Sequence, residues 1–123
     1  MQEDVSLWLK QADEDFKTAE LTFKSRRYYA SAFLSQQAAE KALKAVYIRK
    51  FNDLAKVHDL VFLGRKVSLP EALVKDCIYL GRAYIESRYP GELKTPAEKF
   101  SSGDAERCLA IAEDVIKWVK TIL

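Results

Sequence analysis

The 123 residues are 49% hydrophobic and 31% charged, with four glycines and three prolines. That balance excludes a disordered or fibrous chain and predicts one helix-rich globular domain over residues 1–123. Twenty basic residues against eighteen acidic ones leave a net charge of +2, which excludes a strongly basic nucleic-acid coat but allows local basic patches.

No apolar run reaches the roughly 18 residues of a membrane span, and "MQEDVSLWLK" begins with acids where a secretory leader carries a basic start. Cys77 and Cys108 have neither metal-ligand nor disulfide spacing, so the sequence predicts buried free thiols in a cytoplasmic protein. Val5, Trp8, Leu9, Ala12, Phe16, Ala19 and Phe23 recur every three or four residues and predict a first helix over about 3–24. "KSRRYY" interrupts that pattern. A second helix follows from about Tyr28 to Lys50, and so short a connection predicts an antiparallel hairpin.

"FNDLAKVHDL" reads as a loop entering a short helix near 59–66, ended early by Gly64. In "SLPE", Ser68 as cap, Pro70 in the first turn and Glu71 three residues after the serine form the pattern of a capping box. Leu73, Cys77, Leu80 and Tyr84, beside the row Val74, Ile78, Gly81 and Ile85, then predict a third long helix running to Pro90-Gly91. Residues 91–102 read as a loop, although "TPAE" has the pattern of a single turn capped by Thr95. From about Asp104, the residues Cys108, Ala112, Val115, Val119 and Ile122 trace a final helix. Nothing alternates with the period of a strand. The expected fold is all-α, an up-and-down bundle of four main helices plus a short one.

Within "SQQAAEKALKAVYIRK", Gln36, Gln37, Glu40, Lys41 and Lys44 fall in a sector about 140° wide, with Phe33 and Tyr47 at its two ends. Ser35, Ala38, Ala39, Ala42, Ala45 and Val46 face the other way, small enough for close helix packing. Glu40 and Lys44 form a favourable i, i+4 pair, as on a solvated face. The flanking aromatics favour a different reading, a polar interface awaiting a second chain.

The usual catalytic constellations are missing. Four scattered glycines make no phosphate loop, and one histidine with two distant cysteines makes no metal set. The sequence therefore calls for no cofactor and no metal. His58 precedes Asp59 at a helix start, where it can cap the helix or serve as a proton donor or phosphate contact. Arg88, in the last turn of the third long helix, can neutralise that helix terminus or bind a phosphate. Tyr89 can stack on a base or pad the bundle.

"WLKQADEDFKTAE", "YYASAFLSQQAAEKALKAVYI", "KVHDL" and "SRYPGE", in that order and over nearly the whole chain, resemble a small prokaryotic HEPN domain (higher eukaryotes and prokaryotes nucleotide-binding). The resemblance implies an all-helical homodimer that acts with a minimal nucleotidyltransferase as a toxin–antitoxin-like pair. The polar stripe would then meet a second copy or the transferase. Many members of that family are metal-independent ribonucleases, whose motif is an arginine followed four to six residues later by a histidine. Here "YPGELKTPAEKF" follows Arg88 without a histidine, and general acid–base cleavage needs a group that exchanges protons near neutral pH. The expectation is a non-catalytic binding subunit that holds nucleotide or RNA phosphate near Arg88, Tyr89 and His58. A ribonuclease with a divergent Arg88 and His58 pair, or a pure protein-assembly module, are the alternatives.

Overall fold

The computed structural model describes residues 2–123. Seven helices follow in order: α1 (Gln2–Lys24), α2 (Tyr28–Phe51), α3 (Leu60–Lys66), α4 (Glu71–Gly81), α5 (Ala83–Glu86), α6 (Pro96–Lys99) and α7 (Ser102–Ile122). Among the described residues there is no strand.

The contacts fix the directions. Ala19 meets Ser31, Asp15 meets Lys41 and Trp8 meets Lys44, so α1 and α2 run antiparallel. Asp13 pairs with Lys120 and Leu123 packs on the cluster that contains Val5, so α7 runs antiparallel to α1, while Tyr79 bonds Asp104 at the start of α7. The bundle is thus up and down, as expected from the short connection between α1 and α2. Its core joins Leu43, Leu60, Leu63, Val74, Leu80, Ala112, Val115 and Val119, and full burial stabilises each larger side chain by about 1.5–3 kcal/mol.

Several ends differ from the sequence-based expectation, each for a local reason. Ser68 does not cap α4, because it sits at φ 64° and closes α3 instead. Its amide donates to the Arg65 carbonyl, that of Leu69 to the Gly64 carbonyl, the two bonds of a Schellman ending. Leu69 packs so close over Gly64 that a Cβ there would lie 3.0 Å from its Cδ2. α4 begins after Pro70 with no side-chain cap. The expected third long helix is interrupted at Arg82, between α4 and α5, and ends at Glu86 rather than at Pro90.

Thr95 and Glu98 close a capping box that makes "PAEK" a helical turn where a loop was expected. A second box, Ser101 with Asp104, starts α7 at Ser102, two residues before the expected start. α1 ends in the same manner as α3, with Arg26 at φ 61°.

The largest departure concerns α2. Its alanine face is buried as expected, with Ala38, Ala39, Ala42 and Ala45 fully enclosed, but Gln36, Glu40 and Lys44 are buried too. The expectation that these three await a partner is therefore corrected: the chain itself covers them. His58, near the end of the 52–59 loop, closes over Gln36 and Glu40, and α1 lays Trp8 and Asp15 against Lys44 and Lys41, which no pattern local to α2 announces. Gln37, Lys41, Phe33 and Tyr47 are half-buried. Lys41 pairs with Asp15 of α1, and the Tyr47 ring lies 4.6 Å from that of Phe51.

Candidate functional site

The site grows outward from Glu40. One oxygen of its carboxylate accepts from Lys44 at 3.0 Å and the other from Gln36 Nε2 at 3.1 Å, both one helical turn away. Gln36 also reaches the His58 carbonyl at 3.4 Å and accepts from Gln37 at 2.7 Å, tying the incoming loop to α2. A buried carboxylate needs paired charge and full hydrogen bonding, and this one has both. The Lys44 ammonium in turn lies 5.5 Å from the centre of the Trp8 ring.

The remaining capacity of Glu40 is taken by the His58 ring, whose Nδ1 lies 3.1 Å from the carboxylate. A carboxylate only accepts, so Nδ1 is the donor and Nε2 is left without a hydrogen-bond partner among the described residues. The His58 side chain is 54% exposed while that of Glu40 is only 4% exposed. His58 therefore does not cap α3, as one sequence reading has it. Asp59 does, accepting from the Val61 and Phe62 amides at 3.0 and 3.2 Å.

Tyr84 of α5 completes the arrangement. Its ring stacks on His58 with centroids 4.4 Å apart and planes 18° from parallel. The Arg88 guanidinium lies 4.1 Å from the same ring centroid. Thirty positions apart in sequence, His58 and Arg88 meet on one tyrosine. Arg88 follows α5 rather than ending it, and its Nε donates to the Tyr84 carbonyl at 2.7 Å. This is the terminus-neutralising role expected of it. Phe33 and Tyr89 also flank the guanidinium, at 5.4 and 5.3 Å from its centre. Tyr89 is exposed.

The chemistry is that of an oriented imidazole and a guanidinium that share the Tyr84 ring, the guanidinium bonding through Nε alone among the described residues. An imidazole held through Nδ1 presents Nε2 as a proton acceptor or, when charged, as a donor. A guanidinium whose two terminal NH2 groups have no hydrogen-bond partner among the described residues suits a phosphate. Sequence reasoning placed His58 and Arg88 in the site but missed their connectors, reading Tyr84 as core padding and Glu40 as interface. The order Glu40, Lys44 was the only local sign that the carboxylate could be neutralised in the interior.

The model of the HEPN domain matches residues 5–122. The chain belongs to the HEPN domain family. A relative from Methanocaldococcus jannaschii, MJ1304, carries a provisional toxin name; it is 30% identical, with 95% of this chain and 86% of that protein covered. Among solved structures, TT1696 from Thermus thermophilus superposes with a TM-score of 0.91 at 29% identity, covering 97% of this chain and 98% of that one. The archaeal HEPN homologue ST0689 gives 0.81 at 30% identity over 95% of each chain. A HEPN domain protein from Thermotoga maritima, TM0613, gives 0.75 at 26% identity, over 94% of this HEPN chain and 95% of its own.

Among the described residues no helix is long and apolar enough to cross a membrane, and no group of three or more acidic, histidine or cysteine side chains is placed to hold a metal.

Proposed function

We propose that this HEPN protein is the toxin-like member of a toxin–antitoxin pair, a single-domain homodimeric binding subunit of the cytoplasm that works with a minimal nucleotidyltransferase. Its ligand is a nucleotide or RNA phosphate, held between Arg88 and His58 with Tyr89 at the edge. The observation that carries this reading is the packing of both groups on Tyr84. The stack joins a permanent cation to an imidazole whose Nε2 has no hydrogen-bond partner among the described residues, and a phosphate accepts from both. The toxin name of the M. jannaschii relative supports the wider setting.

The test is binding of labelled nucleotides and short RNA to the purified protein. Arg88→Ala is expected to weaken it at least tenfold, the loss of one charge-assisted contact of about 1.5–3 kcal/mol. Absence of measurable binding by the unaltered protein would sink the reading. The half-buried Gln37, Lys41, Phe33 and Tyr47 are the part of the α2 stripe left for a protein partner, and a pull-down of the transferase with and without Lys41→Glu tests that role.

A second reading rests on the Glu40–His58 contact. A carboxylate that holds an imidazole by Nδ1 is the arrangement of an oriented general base, so RNA cleavage without metal follows if Nε2 reaches a ribose hydroxyl. Expression toxicity relieved by His58→Ala favours this version. RNA that stays intact at high protein concentration removes it.

A further inference from the structure

Beside His58 lies a cleft of about 370 Å³ whose walls include Asp59, Leu60, Cys77, Ile78, Gly81 and Tyr84. It stands at the lower end of the size range of small-ligand pockets, about 300–1,000 Å³. Two of its wall residues, His58 and Tyr84, are stacked on each other, and the Tyr84 ring also carries Arg88. The cleft and the phosphate site therefore share a wall, and a ligand with two chemically different ends can span them.

The lining says which end enters. Among the described residues no lysine or arginine lines the cleft, and Asp59 brings the only full negative charge there. The Cys77 thiol is pushed up to about 12, by burial first and Asp76 second, and stays neutral. A phosphate is repelled from such walls, whereas a flat neutral heterocycle is accepted by them. Asp59 Oδ1 accepts from the Val61 and Phe62 amides, and Oδ2 has no hydrogen-bond partner among the described residues. A carboxylate oxygen at the edge of apolar walls selects N–H donors.

We infer that this cleft is a nucleobase subsite, continuous with the phosphate site at Arg88, in which Asp59 selects the N–H edge of the base. The inference rests on the phosphate reading for the position of the other end. Guanine, with two adjacent N–H donors, ranks first. Uracil, whose one N–H is flanked by carbonyls that face the carboxylate, ranks last. Ile78 and Ile85, 63% and 55% exposed at the cleft, give up apolar surface to water until a base covers them.

Gly81 supplies the test, because a Cβ built there meets nothing within 4 Å. A leucine at that position projects into free space without displacing the fold. Titration calorimetry with GMP, UMP and ribose 5-phosphate is expected to rank GMP first, about tenfold or more tighter than ribose 5-phosphate, the value of one stacked base. Gly81→Leu is expected to bring GMP down to the level of ribose 5-phosphate. Asp59→Asn, which keeps the capping oxygen, is expected to narrow the gap between GMP and UMP.

Equal affinity for all three probes in the unaltered protein would overturn the base subsite while leaving the phosphate reading intact. GMP binding that survives Gly81→Leu would overturn it as well. So would a change of oligomeric state in that variant by light scattering, which would make the cleft a contact between copies. If ribose 5-phosphate fails to bind but GMP binds and is lost in Gly81→Leu, the subsite stands and the phosphate reading falls. No binding by any of the three removes both.

Discussion

Two carboxylates in separate clusters have similar company and opposite environments. Glu40 sits in the interior with Lys44, Gln36 and His58. Asp104 sits at the surface start of α7 with Ser101, Tyr79 and Arg82, and there Arg107 and Arg82 lie 3.9 and 4.7 Å from the Tyr79 ring centre. Both clusters join helices that are distant in sequence. Only in the first is an ion pair, Glu40 with Lys44, shut away from water that could replace a missing partner. Burial, more than the number of bonds, decides how much a charged contact matters.

Removing one member of the interior cluster has the largest expected effect. Glu40→Ala leaves the Lys44 ammonium buried without its counter-charge, and about 3–5 kcal/mol of stability is expected to go. Urea denaturation measures it. Glu40→Gln with Lys44→Met replaces the ion pair by neutral groups of similar volume and is expected to recover most of that loss. If Glu40→Ala costs no more than Asp104→Ala, the contrast between the clusters fails.

The surface cluster breaks more cheaply. Ser101→Ala removes the side-chain cap of α7 and is expected to cost about 1 kcal/mol, within the usual 0.5–2 for such caps. Arg107→Ala removes an exposed cation from the Tyr79 ring and is expected to cost about 0.5–1 kcal/mol. Thermal melts rank the two.

The pH dependence sharpens the comparison with a smaller effect. The Ser101 backbone amide first, then its hydroxyl, holds Asp104 below its ordinary carboxylate pKa. A pKa lowered in the folded state stabilises the fold above the unfolded value, and that stabilisation disappears as pH falls through the folded one. The stability difference between the protein and Asp104→Asn is therefore expected to shrink toward zero on acidification, as followed by urea melts at stepped pH.

Much of the architecture was legible. α1, α2 and α7 follow from apolar residues three and four apart, since each turns a continuous stripe to the core. The ends were harder to read, because Ser68 satisfies two motifs at once. "SLPE" is a capping box on paper, and the αL closure of α3 takes the same serine first. The site was half legible. His58 and Arg88 stood out as the lone histidine and a helix-end arginine, but their meeting on Tyr84 is a long-range event with no local signature.

The polar stripe shows the limit most clearly. A helical wheel sorts residues by direction and says nothing of what arrives there later in the chain, so a face covered by residues 52–59 reads like one that is bare.

The interior chain of contacts has a practical consequence. His58 touches Glu40, Glu40 holds Lys44, and Lys44 rests over Trp8, so an event at the surface imidazole is relayed electrically to an indole on the first helix. Trp8 is a native optical gauge of the site: occupancy that pulls on His58 should alter its emission, without any attached dye. A Trp118→Phe background would isolate that signal from the one other indole of the sequence.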